Sequence, residues 1–228
     1  MADLLGGGAL VDVGANIGSV CLPLAGQARS VVDVEANRSF AGLLAANALN
    51  NGLHNVSVIY GAVGETDRLA KFPMMPLSAT ANMGVSGFGL AGKFPEEVVA
   101  MLTLDRIAPP DATVIKVDVE GYKIQVLKGA KEALEKLRPY WLVENATGTP
   151  GDLEVLRIFS GVGYDLFWFY APFVTARPFR GEAPKTMRGD VNVLAVPREK
   201  RPPAWEMRRV ELDGPRPDHV SAFPYLKR

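Results

Sequence analysis

The chain reads as one α/β domain on a mostly parallel sheet, and three observations carry that reading. Short apolar runs of strand length alternate with helix-permissive segments, the order that lays a parallel sheet between two layers of helix. The first run, Ala9–Val13, leads into Gly14-Ala15-Asn16-Ile17-Gly18, a glycine-punctuated turn of the kind that joins a strand to a helix. The second run, Ser30–Val34, ends in Glu35, about 20 residues beyond the loop, where an acid at the carboxyl end of a strand faces the ligand side of an open sheet.

Taken in order, Ala9–Val13 predicts a strand, Ser19–Ala25 a short helix, and Ser30–Val34 a second strand. Arg38–Asn50, rich in alanine and leucine, predicts a helix that Asn51-Gly52 stops. Val56–Tyr60 is the third strand and Gly61–Glu65 the turn after it. The stretch Lys71–Phe94, with repeated Pro, Met, Gly and Ser and no helical period, reads as a long loop or small hairpin, a mobile element on the substrate side. Val98–Thr103 is a candidate extra strand, Thr113–Val119 a central strand, and Ile124–Leu137 a helix containing Gly129. Tyr140–Val143 is a strand, Asp152–Gly161 a helix, Tyr164–Tyr170 an aromatic strand and, after a Pro/Arg/Gly-rich loop over 172–189, Val191–Val196 the last strand. Residues 1–197 form the domain, and 198–228, polar and proline-rich, a tail or an arm lying on its surface.

Composition narrows the classes. At 228 residues and 48% hydrophobic content the chain can bury one sizeable core. Its formal net charge of zero offers no footprint for nucleic acid or an acidic membrane. No apolar run approaches the roughly 20 residues that span a bilayer, and no basic region precedes a hydrophobic stretch at the N-terminus, so the expectation is a soluble cytoplasmic protein. One cysteine excludes an internal disulfide framework; Cys21, just after the glycine loop, is read as a small buried thiol rather than a reactive one.

The loop chemistry points to a particular ligand class. A pyrophosphate site needs G-x-G-x-x-G, and here Asn16 stands at the second glycine. S-adenosylmethionine (SAM) carries a sulfonium and no pyrophosphate, so a carboxylate such as Asp12 beside Gly14 and Gly18 suits it better. Glu35 supplies the acceptor for both ribose hydroxyls. The bland alternative is that Asp12 and Glu35 simply end strands as solvated acids.

Three blocks in order, Val11–Gly18 with Glu35, then Lys116-Val117-Asp118-Val119-Glu120-Gly121 followed by Val126-Leu127-Lys128-Gly129-Ala130, then Val191–Val196, resemble the FkbM family of SAM-dependent methyltransferases over most of Ala9–Pro197. The resemblance implies a Rossmann-like class I methyltransferase fold, a seven-stranded, mostly parallel sheet with helices on both faces and one late antiparallel strand. It also implies methyl transfer, most often to a hydroxyl oxygen of a sugar or polyketide-type natural product. The chain departs from the family at Lys123, where an acid is usual, and begins so near its first strand that an N-terminal extension is expected to be minimal.

Site residues follow from the strand ends. Cofactor contacts are expected from Asp12, Gly14, Asn16, Gly18, Glu35, Ala62 and Asp118, with Asp118 and Glu120 as catalytic acceptors for the hydroxyl proton, Asp118 nearer the cofactor and Glu120 nearer the acceptor. Lys116 and Asp118 share one strand face about 6 to 7 Å apart, and a lysine there calls for an acid partner, with a purely structural ion pair as the alternative. His54 precedes its strand and is read as a surface residue, while nothing fixes His219 at the site. Asp118 with Glu144 and Asn145 could hold a divalent cation at two strand ends, but no metal is assigned. Asn82, Gly84 and Ser86 either line the acceptor pocket or serve as turn residues. The expected partner is a small-molecule or glycan acceptor, with no nucleic acid and no membrane, and self-association stays open. A nucleotide-dependent oxidoreductase and a catalytically silent SAM-binding subunit are the competing functions.

Overall fold

Largely buried central strands position everything else in this computed structural model, which describes residues 1–76, 87–145, 149–172, 189–200 and 206–214. β1 (Ala9–Val13) is buried at all of its positions, as befits a parallel strand covered on both faces. It pairs in parallel with β2 (Val31–Glu35) on one side and with β7 (Ala112–Val117) on the other. β3 (Val56–Tyr60) adds beyond β2, also in parallel. With β8 (Tyr140–Glu144), β9 (Tyr164–Pro172) and β10 (Gly189–Pro197), the order is β3-β2-β1-β7-β8-β10-β9 in a seven-stranded sheet. β10 runs antiparallel to both of its neighbours, the one late reversal that was expected.

The chain divides into two compact units, Met1–Tyr140 and Trp141–Arg228. In the first, α2 (Arg38–Asn50) matches its expected bounds because both of its ends are written in the sequence. Asn37 caps the N-terminus by accepting from Ser39 N, Phe40, Ala41, Leu44 and Ala48 form the buried face, and Gly52 follows the C-cap at φ +66°. In the second unit, α5 (Pro150–Gly161) starts at a capping box in which Thr149 and Asp152 satisfy each other's backbone N–H. Trp141, Phe159 and Tyr164 pack edge to face beside it. Along the edge strand β9, Trp168 N donates to Arg208 O and Val210 N to Leu166 O, so the segment around Arg209 covers part of an exposed edge.

Four expectations are corrected. The helix expected at Ser19–Ala25 is a 3-10 helix over Leu22–Gln27, where Pro23 in the first turn removes a backbone donor. The helix expected over Ile124–Leu137 is broken into α4 (Lys123–Lys128) and a π-helical turn (Ala133–Leu137). A side chain at Gly129 would collide with the Gly64 carbonyl oxygen, so the chain passes close there, and the helix restarts where the Asp105 carboxylate accepts from Glu132 N and Ala133 N. The turn Gly61–Glu65 contains a short strand, β4 (Ala62–Val63). Finally, Lys71–Pro73 belong to β5 (Arg68–Pro73), which pairs antiparallel with β6 (Glu96–Leu102) in a three-stranded sheet of order β4-β6-β5. Phe88–Leu90 form a 3-10 turn. Asn82, Gly84, Ser86 and His219 lie outside the described residues.

Candidate functional site

Register decides which charged side chains reach solvent. Asp33, Asp12 and Lys116 are direct cross-strand neighbours on β2, β1 and β7, and all three are buried. Because side chains alternate along a strand, the residues two positions further on keep to the same face, one step nearer the carboxyl ends. Those residues are Glu35, Gly14 and Asp118, and all three line one pocket.

The pocket holds about 560 Å³ counted out to its mouth and is built wholly within the first unit. Its floor exists because position 14 is glycine. Gly14 sits at φ +81°, and a Cβ there would run into the Asp118 carbonyl oxygen, so the loops after β1 and β7 approach as only glycine allows. Gly14 N and Ala15 N both donate to Val34 O, which ties the loop to β2. Asn16 takes the left-handed conformation (φ 53°) and turns its N–H toward Glu35. The Glu35 carboxylate is thereby held at both oxygens, Oε2 accepting from Asn16 N at 2.9 Å and Oε1 from Asn37 N at 2.7 Å. Burial raises its pKa above the ordinary value, against the pull of these backbone donors. Each carboxylate oxygen has lone-pair capacity beyond one such bond.

Asp118 stands across the pocket with its side chain 43% exposed, and Lys116 Nζ bridges it to Asp12, 3.2 Å from Asp118 Oδ2 and 3.1 Å from Asp12 Oδ1. Burial pulls the Lys116 pKa down, but the two carboxylates outweigh it and hold the ammonium above its usual value. Lys116 thus meets its expected acid and steadies a carboxylate that faces the pocket. Glu120 lines the same wall, and Gly87 packs against it so closely that a Cβ would stand 3.0 Å from the Glu120 Cβ.

Of the residues picked out by sequence, Gly14, Asn16, Glu35, Ala62, Asp118 and Glu120 come together around this pocket. Asp12 and Gly18 do not line it. Asp12, 1% exposed, is spent on Lys116, and Gly18 (φ +88°) is needed because a side chain would strike Leu22 and Leu44. His54 is exposed just before β3, as expected. Asn145 belongs to the second unit, where its N–H donates to Val191 O and its amide to Asp152 O, so its side chain is committed to local structure.

Sequence reasoning missed the aromatic wall. Phe72, Phe88 and Tyr122 line the pocket, with Phe72 edge-on to Phe88 at 5.0 Å between ring centroids and Phe88 tilted on Tyr122 at 4.5 Å. Arg68 donates to the Tyr122 hydroxyl at 3.3 Å. The available signal was Tyr122 directly after Gly121 in the acidic block, and the alternation of Ala70 and Phe72 with the exposed Leu69 and Lys71 in β5.

Comparison with known proteins bears on the family and the fold. The family model described as the methyltransferase FkbM domain matches residues 12–166. Among solved structures, a methyltransferase FkbM from Methylobacillus flagellatus KT is similar at TM-score 0.54 and 19% identity, covering 83% of this chain and 44% of that one. The chain therefore spans under half the length of that relative. A precorrin-6y C5,15-methyltransferase from Geobacter metallireducens GS-15 is similar at TM-score 0.52 and 14% identity, covering 85% and 84% of the two chains. An rRNA methylase from Streptococcus thermophilus follows at TM-score 0.50 and 12% identity, covering 86% and 91%. At these identities the structures share the fold alone. No curated protein matches the chain.

Proposed function

The chain belongs to the FkbM family of SAM-dependent methyltransferases, and from that premise we propose that it methylates a hydroxyl oxygen of a small-molecule or glycan acceptor, of the sugar or polyketide type. The observation that carries the reading is the Glu35 carboxylate, fixed by Asn16 N and Asn37 N at the wall of a pocket that Asp118 and Glu120 also line. The donor set fits SAM. A carboxylate with spare acceptor capacity suits the paired ribose hydroxyls, Ala62 and Ala36 leave room for a flat ring, and Asp118 offers negative charge near a sulfonium. When bound, SAM supplies the electrophilic methyl group.

The residues of this chain then have separate tasks. Glu35 and the Gly14–Asn16 loop orient the cofactor, and preorganised alignment supplies a large share of the acceleration of an in-line displacement. Lys116 holds the Asp118 side chain by its ion pair, so that the carboxylate keeps its place at the pocket wall. Glu120 accepts the hydroxyl proton of the acceptor at its carboxylate oxygen. Phe88 and Tyr122 offer ring faces against which the apolar side of an acceptor ring stacks.

A thermal-shift and calorimetric panel of SAM, S-adenosylhomocysteine and NAD tests the cofactor assignment, and a screen of hydroxylated acceptors with SAM tests the reaction. Binding of NAD with no response to S-adenosylhomocysteine would make the protein a nucleotide-dependent oxidoreductase. Tight S-adenosylhomocysteine binding with no turnover on any acceptor would make it a silent SAM-binding subunit.

A further inference from the structure

Beneath the pocket the structure gathers a set of side chains that the methyl-transfer reading leaves without a task. Asp12 on β1 and Asp33 on β2 are register partners, and Cys21 lies in the turn that closes the glycine loop. All three are buried, at 1%, 0% and 0% exposure, and one ligand-type atom from each lies within 4.8 Å of the other two. The thiol donates to Asp33 Oδ2 at 3.0 Å. Lys116 is the cation at this cluster, and its ammonium is already shared between Asp12 and Asp118. Asp12 Oδ2 and Asp33 Oδ1 are buried without any hydrogen-bond partner. Two orphaned carboxylate oxygens beside a thiol in an apolar interior are costly unless something positive joins them.

We propose that Asp12, Asp33 and Cys21 form a structural metal site for a zinc-like divalent cation, which ties both ends of the glycine loop to β2. The donor set selects the ion. A thiolate with two carboxylates suits a borderline-soft cation of low coordination number, whereas calcium or magnesium needs six or more oxygen atoms. Around a tetrahedral zinc, ligand atoms stand about 3 to 4 Å apart, a separation the trio reaches by small side-chain rotations. The second oxygen of Asp33, or one water, completes the four positions. Coordination involves no change of oxidation state. The metal gains the Cys21 sulfur and one oxygen from each aspartate, and the thiol proton and any proton held by Asp33 leave to solvent. Lys116 stays on Asp12 Oδ1, so the Oδ2 atom is the one given to the metal.

The loop gives such a site its use. Asp12 stands two residues before Gly14 and Cys21 three after Gly18, so one ion bound to both, and to Asp33, fixes the turn on which Asn16 N is presented to Glu35. The inference is independent of the methyl-transfer reading, since it concerns residues that do not line the pocket.

The chain, purified without a histidine tag from zinc-supplemented medium, should retain about one zinc per chain by elemental mass spectrometry after dialysis. Unfolding in chelator and refolding with cobalt should produce a near-ultraviolet thiolate-to-cobalt charge-transfer band. Cys21→Ser should abolish that band and Asp33→Asn should lower cobalt affinity at least tenfold. Absence of zinc from the dialysed wild-type protein together with absence of the band would overturn the proposal, leaving protons to hold the cluster. Zinc retained undiminished in Cys21→Ser would overturn it too, because the ion would then sit elsewhere. Metal-free protein that still binds S-adenosylhomocysteine would keep the functional reading while the metal site fell.

Discussion

Two acids at the ends of neighbouring strands, Asp12 on β1 and Glu35 on β2, look alike in the sequence and differ completely in the fold. Asp12 precedes the last residue of its strand, stands opposite Asp33 and Lys116, and is 1% exposed. Glu35 is the final residue of its strand, one step beyond that buried row, and faces the pocket. The difference comes from register, because a shift of two residues along a parallel strand preserves the face and changes the depth. Charge at the deeper step works on the stability of the fold, and charge at the outer step is available for a ligand.

Removing Lys116 should separate these roles most sharply. Lys116→Met leaves Asp12 buried without its cation, and breaking a buried pair from one side costs about 3 to 5 kcal/mol. Chemical denaturation should show that loss, whereas a stability unchanged to within 1 kcal/mol would mean that the row carries no buried pair.

At the outer step the sign reverses. Glu120→Gln should leave the denaturation curve near wild type and lower turnover about a hundredfold or more, the usual contribution of a positioned base. Full activity on an accepted substrate would remove Glu120 from the proton transfer.

Legibility in the sequence follows the same division between local and remote causes. α2 was readable to the residue, because Asn37, the spacing of Phe40, Leu44 and Ala48, and Asn51-Gly52 all act locally. β1 and β3 were readable from their apolar runs. β5 was not, because it ends in Pro73 and its period of two covers only Ala70 and Phe72; at the edge of a three-stranded sheet that proline is tolerated. The break at Gly129 was hidden because its cause, the Gly64 carbonyl, is remote in sequence. At the site, Glu35, Asp118 and Glu120 were legible as acids at strand ends. The fate of Asp12 was not, since it depends on Lys116, 104 residues away. The aromatic wall has the same origin, for Phe72, Phe88 and Tyr122 meet only through tertiary packing.

The most direct test is calorimetric titration of S-adenosylhomocysteine into the wild-type protein and Glu35→Ala, with the melting curve of each recorded alongside. The wild type should bind, and the variant should remain folded while losing about 1.5 to 3 kcal/mol of affinity, the worth of hydrogen bonds to a charged group. Equal affinity in the two proteins, or no binding by the wild type, would contradict the account.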